Sequence, residues 1–143
     1  MGRSILAVIA GLIVGGLIVA GVEYIAQIVY PPPEGLDMTD MEAVREFAAG
    51  APASARLIVL LAWFLGPFGG AWVAAHLARR SPMTHALVVG VFFLVADTIN
   101  LVTIPSPIWM WIGGFVAPVL GAYLAARLVD GRTVLDQESS VTE

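Results

Sequence analysis

Four long apolar runs constrain the fold of this chain more than any other feature of its sequence. They cover approximately residues 5–30, 54–78, 84–104 and 107–129, and each is long enough to cross a bilayer as a helix, which takes about 20 residues. The first run has an apolar core longer than that of a signal peptide, so we expect it to be retained. The sequence therefore predicts an all-α membrane protein with four transmembrane helices in a four-helix bundle.

The composition agrees with this class and excludes several functions. Hydrophobic residues make up 59% of the chain and charged residues 13%, whereas soluble domains are nearer about one half and one quarter. There is no cysteine, and all seven basic residues are arginine, which excludes thiol chemistry and lysine-based catalysis. The HExxH and GxSxG motifs are also absent. We therefore expect no enzyme activity, no cofactor and no bound metal.

The arginines are distributed unevenly between the two ends of the predicted helices. Five lie at the N-terminus, in the second loop or at the C-terminal end, and two, Arg45 and Arg56, lie in or beside the first loop. Because cytoplasmic loops carry the excess of basic residues, this pattern places both termini in the cytoplasm. The predicted location is a bacterial inner membrane. The net charge of −4, with no basic patch, argues against nucleic acid as a partner.

The first loop, residues 31–53, is the only substantial one. It begins with three prolines, and Thr39 to Glu42 matches a capping box that opens a short amphipathic helix ending near Gly50. Ser54 is the expected N-cap of the second membrane helix. The tail, residues 130–143, is polar and has no helical periodicity, so we expect it to be disordered in the cytoplasm.

An internal repeat links the two halves of the chain. Glu23 stands eight residues before a Pro-x-Pro sequence that begins at Pro31, and Asp97 stands eight residues before another that begins at Pro105. The second and fourth runs also align, as GPFGGAWVAAHL and APVLGAYLAARL. We interpret the chain as two tandem helical hairpins related by a pseudo-twofold axis along the membrane normal, with an insertion in the first loop.

Glu23 and Asp97 are the strongest candidates for a functional site, because an acid inside the membrane is costly and needs a reason. Gln27 and Asn100 follow them by about one helical turn, and the four side chains form a candidate proton- or ion-binding group. In the structural alternative, Arg56 reaches down from the outer interface and neutralises one of the acids.

Small residues at helical spacing mark the expected helix contacts. Two ridges of this kind lie in the second and fourth helices: Gly66, Gly70, Ala74, Gly113, Ala117 and Gly121. In the first helix, Gly16, Ala20, Glu23 and Gln27 share one face, which we expect to look into the protein because acids avoid lipid. The ridges also offer surfaces for a homo-oligomer or for another membrane protein.

The runs VEYIAQIVYPPPEGLD and NLVTIPSPIWMWI resemble a family of small, uncharacterised four-helix integral membrane proteins of bacteria. The resemblance covers most of the chain and implies the four-helix fold, but it implies no activity. Small four-helix multidrug exporters also carry a glutamate in their first helix. Here the acid lies near the outer helix end and the aromatic pattern differs, so their function is not carried over.

The sequence leaves two main hypotheses of function open. The first is a small non-enzymatic polytopic inner-membrane protein, an accessory or assembly subunit that packs against itself or a partner in the lipid bilayer. The alternative is a small proton- or cation-coupled transporter or channel that uses Glu23 and Asp97. A third, weaker hypothesis is an anchor whose acidic outer loop and tail recruit soluble proteins.

Overall fold

The helices follow the apolar runs closely. The computed structural model describes residues 2–78 and 81–141, with side chains as far as Asp130. These residues form α1 (Gly2–Val29), α2 (Met41–Ala49), α3 (Ala53–Leu77), α4 (Pro82–Thr103) and α5 (Ile108–Val141), and no strand. All except α2 are long and apolar enough to cross a membrane. The predicted all-helical class with four long apolar helices is therefore confirmed, and this architecture is that of a multi-pass membrane protein.

The short helix α2 lies in the first loop as expected, but a different residue caps it. The carboxylate of Asp40 accepts hydrogen bonds from the second and third amides that follow it, at 3.0 and 3.3 Å. Thr39, the predicted cap, is already engaged, because its amide and its hydroxyl both donate to Asp37, at 2.8 and 2.7 Å. The cap therefore moves to the next acceptor along the chain. Gly50 ends the helix, as predicted.

Two further helix ends differ from the expectation. Pro52 occupies the N-cap position of α3, and the Ser54 hydroxyl instead accepts a hydrogen bond from the Tyr30 hydroxyl at 2.7 Å. The backbone of α5 stays helical to Val141, where we predicted a disordered tail from residue 130. An existing helix gains one hydrogen bond for each residue it adds, which favours such an extension. The apolar part of α5 nevertheless ends at Asp130, so the span itself has about the predicted length.

The contact between α1 and α3 brings backbone against backbone. Gly11 and Gly15 of α1 face Gly66 and Gly70 of α3, and all four are buried. A β-carbon added at Gly70 would lie 2.5 Å from the carbonyl oxygen of Gly11, and one at Gly15 would lie 2.8 Å from that of Gly66. Only glycine allows helices to approach so closely.

The equivalent ridge of α5 packs against a different neighbour. A β-carbon added at Gly121 would lie 2.7 Å from the carbonyl oxygen of Phe64, and one at Gly113 would lie 2.7 Å from the side chain of Leu60. Both of these neighbours belong to α3. The remaining predicted ridge residues, Ala74 and Ala117, are buried and half-buried between helices. Thus α3 presents its ridge to α1, and α5 presents its ridge to α3.

The helix contacts do not follow a strict twofold arrangement. α4 packs against both α3 and α5, whereas α1 packs against α3 and only slightly against α4. Within the described residues α1 makes no contact with α5, although a twofold axis would make that contact equivalent to the one between α3 and α4. The two hairpins therefore share local sequence features but not the same neighbours.

Candidate functional site

The two acids lie at one level of the bundle. Glu23 and Asp97 each stand six residues before the last residue of their helix, Val29 in α1 and Thr103 in α4, which is about 9 Å at 1.5 Å per residue. Both helices finish at the end of the bundle beside the first loop, which we call the α2 end. The two helices are in contact with each other. The structure therefore brings together the two acids that the sequence singles out.

Asp97 is enclosed by the bundle and incompletely satisfied. Its side chain is 5% exposed, and its Oδ2 atom is buried without a hydrogen-bond partner. It lies between Phe93 and Leu101 in the buried stripe of α4, because residues four apart share one helical face. An unpaired buried polar group costs about 1–3 kcal/mol. Packing alone would favour an apolar side chain at this position, so Asp97 is the centre of the candidate site.

Glu23 lies on a face of α1 that the other described helices leave mostly uncovered. Glu23 is half-buried, whereas Gly16, Ala20 and Gln27, which share its face, are exposed. A β-carbon added at Gly16 would meet nothing within 4 Å. The expectation that this face looks into the chain's own bundle is therefore wrong. The reason is that α1 packs against α3 with its other line of small residues, Gly11 and Gly15. We call the line of Gly16, Ala20, Glu23 and Gln27 the open face of α1.

The two amide side chains of the predicted group flank the acids without joining them. Asn100 and Gln27 are both exposed. In the part of the chain whose side chains are described, neither amide side chain forms a hydrogen bond. The predicted four-residue group is therefore an adjacent pair of acids with two amides on the surface beside it.

Arg56 does not neutralise either acid. Its guanidinium donates to the carbonyl oxygens of Ala48 and Ala49, at 3.1 and 3.0 Å. These carbonyls lie at the end of α2, where cations are favoured by unsatisfied acceptors and by the helix dipole. Among residues 2–78 and 81–130, neither Glu23 nor Asp97 forms a salt bridge. The α2 carbonyls are thus the partners that the arginine takes in place of an acid.

A second arginine contact was not anticipated from the sequence. Arg45 of α2 donates from its Nε atom to the carbonyl oxygen of Thr103, at 2.7 Å. Thr103 is the last residue of α4, so this bond ties α2 to the end of the helix that carries Asp97. The available signal was a basic residue in a loop helix that has to meet unsatisfied carbonyls at a neighbouring helix end.

Other parts of the molecule offer little competing chemistry. Within the described residues there is no group of three or more histidine, aspartate or glutamate side chains placed to hold a metal ion. An apolar groove between α1 and α4, which includes Val8 and Val88, lies towards the opposite end from the acids. Arg79 and Arg80, on which the orientation depends in part, lie outside the described residues. Comparison of the chain with known protein families, with curated proteins and with solved structures finds no match.

Proposed function

We propose that this protein is a small non-enzymatic subunit of the bacterial inner membrane, which acts in assembly by packing against another membrane-spanning segment. The observation that carries the proposal is the open face of α1. Gly16, Ala20 and Gln27 are exposed there and Glu23 is only half-buried, whereas the glycines of α1 that meet α3, Gly11 and Gly15, are buried. A second membrane helix is the neighbour that such a face accommodates.

The energetics of the bilayer support this use of the open face. Glutamate and glutamine side chains that face lipid are costly, because hydrocarbon offers them no hydrogen bonds. Gly16 and Ala20 leave room for the close approach of another helix. The neighbouring exposed positions Ile13 and Leu17 are large and apolar, as lipid-facing residues usually are. A packed partner would cover the polar line and leave these residues to lipid.

Photocrosslinking in native membranes tests the proposal. A photoreactive residue at Gly16 should give adducts with another polypeptide. Gly21 is the matched control, because it is also a glycine of α1 with nothing within 4 Å and lies about 140° around the helix at 3.6 residues per turn. There the probe should react with lipid alone. Lipid adducts at both positions, or protein adducts at both, would contradict the proposal.

A proton- or cation-coupled transporter is the second candidate. It is favoured by one observation, the unpaired Oδ2 atom of Asp97 at the same level as Glu23 of the neighbouring helix, since two adjacent acids can hold a proton or a cation. Proteoliposomes should then show ion or proton flux that Asp97→Asn abolishes and that Glu46→Gln, an exposed acid of α2, leaves unchanged. Absence of flux over a range of ions and pH values would exclude this candidate.

We also propose that the two hairpins arose by duplication and are related by a pseudo-twofold axis. Supporting this, Tyr30 and Ile104 each donate a backbone hydrogen bond of 2.8 Å to the residue four before, at the ends of α1 and α4. The carbonyls of Pro33 and Pro107 each accept one from the residue three later, at 3.2 and 2.9 Å. Both pairs of positions are 74 residues apart. The helix that departs from this symmetry is α1, because it lacks the contact with α5 that a twofold axis requires.

The proposed orientation places both termini in the cytoplasm and α2 outside. Because the chain contains no cysteine, single substitutions report on one site each. A membrane-impermeant maleimide applied to intact cells should label Glu46→Cys and should not label Ser4→Cys. The reverse pattern would invert the proposed orientation.

A further inference from the structure

Among the residues whose side chains the structure describes, no cation pairs with either acid. Asp97 is buried with an unpaired Oδ2 atom, and Glu23 is a second acid at the same level of the neighbouring helix α1. Ionisable side chains inside a membrane are costly, and they pair with one another or with polar backbone groups. In the described part of the chain neither acid has such a partner. The site is therefore incomplete as the single chain forms it.

The four arginines whose side chains the structure describes bind elsewhere or lie at a distance. Arg45 donates to the end of α4 and Arg56 to the end of α2. Arg127 donates to the hydroxyl of Tyr123 on its own helix at 2.8 Å, and Arg3 belongs to the first turn of α1, at the opposite end from Glu23. No described arginine is thus placed to balance the acids.

We infer that the segment which packs on the open face of α1 carries a lysine or arginine side chain at the level of Glu23. The inference rests on the proposed function and adds the chemistry of the partner. Charge complementarity carries it, because Glu23 is a half-buried acid on the open face and Asp97 is a second acid at the same level of the neighbouring helix. A second copy of this chain fits less well, since the same face would bring two further acids and no cation.

The open face also sets where the partner approaches most closely. Ala20 and Gly16 lie about one and two turns from Glu23, towards the opposite end of the bundle. The backbones can meet there, where a β-carbon at Gly16 would touch nothing. A long basic side chain on the partner then spans the remaining distance with its alkyl stem against apolar surface and its charge at the carboxyl group.

A test uses the full chain, carrying a fluorophore at Ser4→Cys, in phospholipid vesicles with synthetic single-span helices of leucine and alanine. One peptide carries a lysine in the part of its membrane-spanning sequence that lies at the depth of Glu23. Two other peptides carry leucine or glutamate at the same position. Energy transfer should report about tenfold tighter association of the lysine peptide, which corresponds to about 1.4 kcal/mol. Glu23→Gln should remove the preference, and Gly21→Leu should leave it unchanged.

The comparison of peptides on the unchanged chain requires no variant, so a folding defect cannot imitate the result. Equal association of the lysine and leucine peptides with the unchanged chain would overturn the inference. If Gly16→Leu then abolished the association of both peptides, the proposed function would still stand. Failure of all three peptides to associate would also overturn it, and crosslinking at Gly16 would then decide the proposed function separately. Energy transfer between two copies of the chain that depends on Glu23 would replace the basic partner with a second copy.

Discussion

The two helices that carry the acids, α1 and α4, have matching local features and unequal surroundings. α4 packs against α3 and α5, and its acid is buried. α1 packs against α3 and only slightly against α4, and its acid is half-exposed. The same chemical group at the same level is thus enclosed in one helix and open in the other.

This difference separates two properties of a residue in a sequence repeat, its level along the bundle and its burial. The distance from Glu23 or Asp97 to its helix end is the same, because that distance depends only on the local sequence. Whether the acid is covered depends on how many helices surround it. The repeat therefore predicts the level of a residue along the bundle. It does not predict the burial of that residue, which depends on the helices that pack around it.

The largest expected effect comes from separating α1 from the bundle. In Gly70→Leu the new side chain would collide with the backbone of Gly11, and we expect the free energy of unfolding to fall by about 3 kcal/mol. Gly121→Leu should cost a similar amount by opening α3 from α5. Unfolding in mixed micelles measures both. Gly21→Leu, which points into open space, should stay within about 0.5 kcal/mol of the unchanged protein, and equal tolerance at Gly70 would contradict the packing.

A smaller effect of the opposite sign is expected at the two acids. Asp97→Asn keeps the shape of a buried side chain and removes its charge, so it should raise the free energy of unfolding by about 1 kcal/mol. Glu23→Gln, at the half-exposed position, should change it by less than about 0.5 kcal/mol. Equal changes measured in the same micelles would show that the two acids have the same environment.

The loop that the second hairpin lacks should respond to loss of its arginine contact. Arg45→Gln removes the hydrogen bond to the carbonyl oxygen of Thr103, with an expected loss of about 1 kcal/mol for local opening of α2. Hydrogen exchange at α2 amides should then become about fivefold faster. Glu42→Gln, an exposed substitution in the same helix, is the control, and unchanged exchange in Arg45→Gln would show that α2 is held in another way.

The smallest effect is local and depends on pH. Hydrogen bonds from the side chain and the amide of Thr39 hold the pKa of Asp37 below its usual range. A lowered pKa in the folded loop means that this turn gains stability above the ordinary value, about 3.9, and loses it as the pH falls through the folded pKa. The protection of the Thr39 amide, measured relative to its intrinsic exchange rate at each pH, should fall on acidification below that range. Asp37→Asn should remove this pH dependence.

Much of the fold was predictable because long apolar runs admit few structures in a bilayer. The side of α1 that faces into the bundle was not predictable from the sequence. Gly11 and Gly15 form one small-residue line and Gly16 and Ala20 another, and the choice depends on which line meets the glycines of α3 in three dimensions. The acid on the second line suggested an inward face, but the line without an acid fits α3 more closely.

The candidate site was predictable in its acids and not in their partners. Equal spacing from a proline turn identified Glu23 and Asp97 as a pair. Arg56 was expected to reach them, because a long side chain has many accessible directions. The carbonyl groups at the end of α2 lie within hydrogen-bonding distance of its guanidinium, and this local competition cannot be read from spacing along the chain.

The two separate faces of α1 have a consequence for the order of events during synthesis. The ribosome adds about 5–20 residues per second, so the interval between the completion of α1 at Val29 and of α3 at Leu77 lasts about 2–10 s. During that interval Gly11 and Gly15 have no α3 to pack against, and their side of α1 exposes no polar side chain. The face with Glu23 and Gln27 is available at once. Under the proposed function, a partner helix already in the membrane would meet the nascent chain before the chain has folded on itself, and the two docking events would use different sides of one helix.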